Sequence, residues 1–557
     1  MVAACGHVHQ HIPLPTLPPT RVRSERATGV RFRYPFNFES EAPAKAATDF
    51  LESYAPFRDF VRGFDIVTSL IAIWELSLQI IEGKPLFDQW RRTVPFPSFK
   101  DHIYPWDLDV LSREFILNAS RGGRRSLRDW NDLATCVNYI RDLDGIAYTI
   151  SRDGSPDVMF ELHRIAQRQF PWQVDGGVNQ IMRVIKVFGS DAVDQVVQRE
   201  LGMTARQFVM LGMAVAGHFQ RNWGMLLNQD YRTALGIERD ASGAFFERLT
   251  CSLPELTKEI QARQRYDGDW LYTWNPLEAT PLIRYADNYP DRVICPIPRF
   301  VLRRTSAGLF YDVVKAQGFD NPYGTAFQGY VGEVLRKTCP SPPFTIRGEK
   351  SYRVDGSVRH GVDWILSDKS GHLFVEAKTK RLTVDARTLS DSVALNRDLE
   401  TISKAIVQHY ANIRDAQLGL TDWKPDGLPI YPLVLTLEDW FLMSPSVRQR
   451  LDACVLRMLH ESNITPDVLD QMPFTIASSQ ELEIVAQVIA QTDIGRVMSY
   501  KVQGDKKGWL LSPAIRDAFP DEMKRISVRL FGDDLLSLLP VPQDETKSPT
   551  ARSLRTA

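Results

Sequence analysis

The feature that most constrains this chain is a change near position 300 in the period at which its apolar residues recur. Up to about residue 265 they return at intervals of three and four, as on one face of a helix. Phe57–Ile81, Leu111–Ala119, Trp130–Ile150, Asp191–Val215 and Leu253–Arg265 all read this way. Beyond 300, helical runs alternate with short segments of period two, which argues for an α/β arrangement. Between the two regimes lie Trp270, Tyr272, Trp274, several prolines and the run Val293-Ile-Cys-Pro-Ile-Pro298, expected to form an irregular connection or a short strand. Four regions follow: a disordered tail at 1–30, a mainly α-helical region at 31–290, an α/β domain with a C-terminal extension at 291–540, and a polar, disordered tail at 541–557.

Composition sets bounds. The 557 residues are 44% hydrophobic and 24% charged, ordinary for a soluble globular protein of several domains. Lys+Arg (67) balances Asp+Glu (68), so the whole chain has no nucleic-acid-binding charge and any such surface must be local. The six cysteines are far apart with no CxxC pair, which predicts free thiols in a reducing compartment. Phe64 to Ile81 is the most apolar stretch, but Asp65 and Glu75 within it make it a buried helix, not a membrane span. No signal peptide is evident, so the expected location is cytoplasmic, away from membranes. In the N-terminal tail Cys5, His7, His9 and His11 alternate and would share one face of a strand. A metal clasp there competes with incidental histidines in a mobile segment, and the latter is the expectation.

Chemistry concentrates in His360–Arg381. Val362, Trp364 and Leu366 alternate with Asp363 and Ile365, Asp368-Lys-Ser-Gly371 has turn composition, and Leu373, Val375 and Ala377 alternate with Phe374, Glu376 and Lys378. This predicts a β-hairpin with Glu376 and Lys378 on one face and Asp363 beside them. Two facing carboxylates repel, so the pattern asks for a cation. Mg²⁺ (or Mn²⁺) suits it: hydrolysing a phosphodiester requires a hard ion that takes oxygen ligands and makes water a better nucleophile. Asp363, Glu376 and the Ala377 carbonyl are the expected ligands, and Lys378 is placed to orient the attacking water or offset transition-state charge. An ordinary salt bridge from Lys378 to the carboxylates is the competing explanation.

The flanking elements bear on that choice. Gly324–Lys337 reads as an amphipathic helix with Phe327, Tyr330, Val331, Val334 and Leu335 on its apolar side and Glu333 among its polar residues. Arg387–Ala416 reads as a second helix, striped by Leu399, Ile402, Ile406, Tyr410 and Ile413, with Lys404 and Gln408 together on another face. Ile430–Leu437 reads as a buried strand. The order helix, hairpin, helix, strand resembles the core of the PD-(D/E)xK nuclease superfamily over about 325–440; Val362 stands where the motif's proline would precede Asp363. The resemblance implies a restriction-endonuclease-like domain, with Glu333 as the family's helical acid (a further metal or water ligand) and Lys404 and Gln408 as supporting residues. It also implies a metal-dependent nuclease, on DNA ahead of RNA, working in restriction, anti-phage defence or repair. A non-catalytic protein keeping the nuclease fold as a binding platform is the alternative from another class.

Local charge agrees with a nucleic-acid partner, since 346–381 holds eight Lys/Arg against five Asp/Glu. Arg121, Arg124, Arg125 and Arg128, beside Gly122 and Gly123, could grip phosphates or simply form a solvated loop. A homo-oligomer is compatible with the sequence, which names no protein partner. There is no GxxxxGK[ST], HExxH or GxSxG motif. Downstream, Pro473–Ser478 and Gln480–Ile489 are expected to add a strand and a helix.

Overall fold

The computed structural model describes residues 50–94, 96–150, 158–174, 177–286, 288–389 and 393–539. Both expected tails, with the Cys5–His11 cluster, lie outside the described residues.

The N-terminal half is mostly helical, as the period of three and four predicts, but its longest runs are broken for identifiable reasons. Phe57–Ile81 divides into helices Phe50–Val61 and Ile66–Ile80. Asp65 caps the second one, accepting a hydrogen bond from the Thr68 backbone N–H at 2.9 Å and another from Gly122 at 2.9 Å. Asp191–Val215 divides into Asp191–Leu201 and Ala205–Phe219 at Gly202, whose φ of 72° favours glycine. Ile66–Ile80 is buried along most of its length; inside it Glu75 accepts from Trp90 Nε1 at 2.8 Å and pairs with Arg128. Among the described residues no helix is long and apolar enough to cross a membrane.

The region 31–290 is not wholly helical. Three three-residue strands within it, β1 (Gly224–Leu226), β2 (Thr250–Ser252) and β3 (Leu282–Arg284), join β4 (Arg292–Ile294) just beyond it in a mixed sheet of order β1-β4-β3-β2. Each is too short to show an alternating pattern, which is why only the Val293 run stood out in the sequence.

The second half is α/β. Strands β5 (Thr345–Gly348), β6 (Ser351–Val354), β7 (Ser357–His360), β8 (Trp364–Asp368), β9 (Gly371–Lys378), β10 (Ile430–Thr436) and β11 (Thr475–Ser478) follow in order. A five-stranded sheet runs β11-β10-β9-β8-β5, antiparallel from β5 to β9 and parallel from β9 to β11; β6 and β7 pair separately. The hairpin turn is as expected: Asp368 Oδ1 accepts from the backbone N–H groups of Ser370 at 2.7 Å and Gly371 at 3.2 Å. β10 is buried throughout, as a central parallel strand should be. Its Pro432 precedes the β10–β11 ladder, which begins at Leu433, so the missing N–H leaves no gap there.

Helix Asp320–Thr338 covers the sheet face bearing Trp364, Leu366, Leu373 and Val375. Helix Val393–Gln417 lies on the opposite face, where Ile365 and Phe374 pack with Ile413. The second expected helix begins as a separate short one, Val384–Thr388. Helix Ser479–Gln491 follows β11 as predicted.

The main apolar core crosses residue 290. Ile181, Ile185 and Phe188 of helix Val178–Phe188 share it with Tyr323, Phe327 and Val331. An ion pair buried at the same place ties three helices together: Arg183 meets Glu483 at 2.8 Å, and Tyr330 Oη donates to Glu483 at 2.7 Å. A second set of bonds runs from the Val158–Gln169 helix to Val384–Thr388. His163 Nε2 donates to the Ala386 carbonyl at 3.1 Å and Arg164 to the Thr388 carbonyl at 2.8 Å. Arg164 also pairs with Asp269 at 2.6 Å.

Candidate metal centre

β8 and β9 fix the central residues by register. Trp364 pairs with Val375, so Asp363 lies opposite Glu376 one step beyond the last pair. Asp363 Oδ2 accepts a hydrogen bond from the Ala377 backbone N–H at 2.6 Å, which ties its carboxylate to β9. Burial and, next, the charge of Glu376 push the Asp363 carboxyl up to about 7; the Ala377 N–H and Lys378 oppose them.

Glu376 is 4% exposed. Its Oε1 meets Lys378 Nζ at 2.6 Å, whereas its buried Oε2 has no hydrogen-bond partner. From helix Val393–Gln417, His409 Nδ1 approaches Oε2 to 3.7 Å. His409 is itself buried, and burial holds its pKa below the ordinary histidine value.

A third carboxylate stands nearby. Glu349, in the turn after β5, accepts from Gln328 Nε2 at 3.0 Å and meets His360 Nδ1 at 2.8 Å, and its charge also raises Asp363. Gln328 is the residue that helix Asp320–Thr338 turns toward this region, and its carbonyl accepts from Trp364 Nε1 at 2.8 Å.

The structure therefore brings Asp363, Glu376, Ala377 and Lys378 together, and leaves the other expected residues elsewhere. Glu333 is 43% exposed in its side chain and pairs with Lys186 at 2.6 Å, on the helix that covers the sheet face opposite Asp363 and Glu376. Lys404 and Gln408 are exposed on the outer side of their helix. Arg125 pairs with Asp132 at 2.7 Å and Arg128 with Glu75 at 2.6 Å, so both fasten the loop to neighbouring helices. Arg121 donates to the Tyr285 carbonyl at 3.4 Å, and Arg124 is exposed.

Glu349, Gln328 and His409 were not singled out in the sequence. His409 carried a signal, because it lies seven residues after Ile402 and so falls on the apolar stripe facing the sheet. Nothing local marks Glu349.

Among the described residues, no three His, Cys, Asp or Glu side chains form a ready metal cluster. What fits a cation is the donor chemistry: two carboxylates, Asp363 just before β8 and Glu376 on β9, the latter with a buried oxygen that has no hydrogen-bond partner. No protein-family model, curated protein or solved structure matches the chain.

Proposed function

We propose that this chain is a divalent-metal-dependent nuclease hydrolysing phosphodiester bonds, with DNA as substrate ahead of RNA. The observation that carries the reading is the Asp363–Glu376 pair: the half-buried carboxyl of Asp363 is pushed up to about 7, and Glu376 keeps a buried oxygen without a hydrogen-bond partner.

The sheet supports a restriction-endonuclease-like fold for this half. Helix Asp320–Thr338, the β8–β9 hairpin, helix Val393–Gln417 and β10 occur in the order of that superfamily's core, with the helices on opposite faces. Asp363 and Glu376 would hold Mg²⁺ or Mn²⁺, which when bound supplies charge to the non-bridging phosphate oxygens and lowers the pKa of water. Lys378 then faces the same carboxylate edge, where its ammonium offsets negative charge developing on the phosphate. Glu349 is better placed than Glu333 to be the third acid. Restriction, anti-phage defence or repair would be the setting.

The deciding experiment incubates the protein with Mg²⁺ or Mn²⁺ and a panel of duplex DNA, single strands and structured RNA. Metal-dependent cleavage that is lost in Asp363→Ala supports the reading. A second reading, a binding platform with no catalysis, is favoured by the Lys378–Glu376 contact of 2.6 Å. Binding to the same panel with no cleavage in either metal would select it.

A further inference from the structure

His409 is 1% exposed beneath β9, and only one of its ring nitrogens is satisfied. Nε2 lies 3.0 Å from the Phe374 carbonyl. A carbonyl can only accept, so Nε2 carries the hydrogen, and in the neutral ring Nδ1 is a bare lone pair. That lone pair faces Glu376 Oε2 across 3.7 Å, and neither atom has a hydrogen-bond partner.

Two acceptors facing each other in a buried place repel. Each unmet group keeps the desolvation cost of burial with nothing to offset it. Lys378 does not relieve them, since it is bound to the other carboxylate oxygen. Whatever stands between them must be positive or must donate both ways. The separation suits a metal ion: ligand atoms roughly 2.0–2.2 Å from one ion lie roughly 3–4 Å from each other.

We infer that Glu376 Oε2 and His409 Nδ1 are ligands of one divalent first-row transition ion, which makes the centre a mixed oxygen and nitrogen site. The inference rests on the metal-centre reading of the hairpin and adds a ligand from a different element. It also sets the metal preference. An imidazole ligand favours Mn²⁺ and the later ions over Mg²⁺, which demands oxygen and keeps its waters. The Phe374 carbonyl orients the ring by holding Nε2–H, as an outer partner of a ligating histidine does. A proton shared between His409 and Glu376 is the competing occupant.

The test uses the full chain, stripped with a chelator and reloaded with Mn²⁺, and reads nitrogen coupling to the bound ion by pulsed EPR. Wild type should show the coupling and His409→Gln should lose it, with Mn²⁺ affinity falling at least about tenfold. Mg²⁺ affinity, followed by melting temperature, should change much less. If His409→Gln does not fold, Glu376→Gln should abolish the same signal while leaving His409 in place. Bound Mn²⁺ without nitrogen coupling in wild type, or coupling that persists in His409→Gln, overturns the role of His409 and leaves the hairpin reading intact. No Mn²⁺ binding at millimolar concentration overturns both.

Discussion

Asp363 couples the hairpin to pH. Its carboxyl is raised from 3.8 to about 7, so between those values the folded protein holds a proton that the unfolded chain releases. The stability from that proton is fully present below about pH 4 and is lost as pH rises through 7. The metal-free chain should therefore lose about 1–3 kcal/mol between pH 5 and 8 from this group, and Asp363→Asn should remove most of that slope in urea titrations. Metal protection should run the other way and strengthen toward pH 8, because the ion competes with the proton. Lys378→Ala separates enzyme from salt bridge. Cleavage should drop about a hundredfold or more while Mg²⁺ still raises the melting temperature. A loss of roughly 3–5 kcal/mol with no metal response would mark a purely structural pair. Glu349→Gln should reduce cleavage more than Glu333→Gln, since Glu349 acts on Asp363 and Glu333 is held by Lys186. Asp363, Glu376 and Lys378 were legible because a strand's period of two fixes which side chains share a face. His409 and Glu349 arrive from elements remote in sequence, and only packing reveals them.

Elements were legible wherever a pattern ran long enough. The hairpin, β10 and the Trp130–Ile150 helix match their sequence signals closely. Breaks at Asp65 and Gly202 were harder to see, because the apolar period continues across them and only a cap and a left-handed residue interrupt it. One contact decides how the Asp320–Thr338 helix sits. A Cβ built on Gly332 would lie 2.2 Å from the Trp364 ring, so the absence of a side chain there lets helix and β8 approach. Gly332→Ala should push the helix off the sheet and cost about 1–3 kcal/mol by thermal denaturation. It should also weaken metal affinity, because Trp364 follows Asp363 directly.

At the scale of the whole molecule, the change of period at 300 does not mark where packing ends. Helix Val178–Phe188 belongs to the same core as the five-stranded sheet, and Arg183 is the counter-charge of the fully buried Glu483. Such sharing is invisible in sequence, since an amphipathic helix shows which face is buried and not against what. A fragment beginning at Ile297 leaves Glu483 without its partner and should be less stable than one that keeps Arg183. Arg183→Ala in the full chain should cost about 3–5 kcal/mol, read by urea unfolding.

The bonds from His163 and Arg164 to Ala386 and Thr388 have a further effect on this scale. They hold the backbone of Val384–Thr388, six residues beyond Lys378, from outside the α/β half. Ordering a free segment at that position would cost about 1–2 kcal/mol of backbone entropy per residue. Here that entropy is lost during folding, so the segment beyond Lys378 is already ordered before anything binds near it.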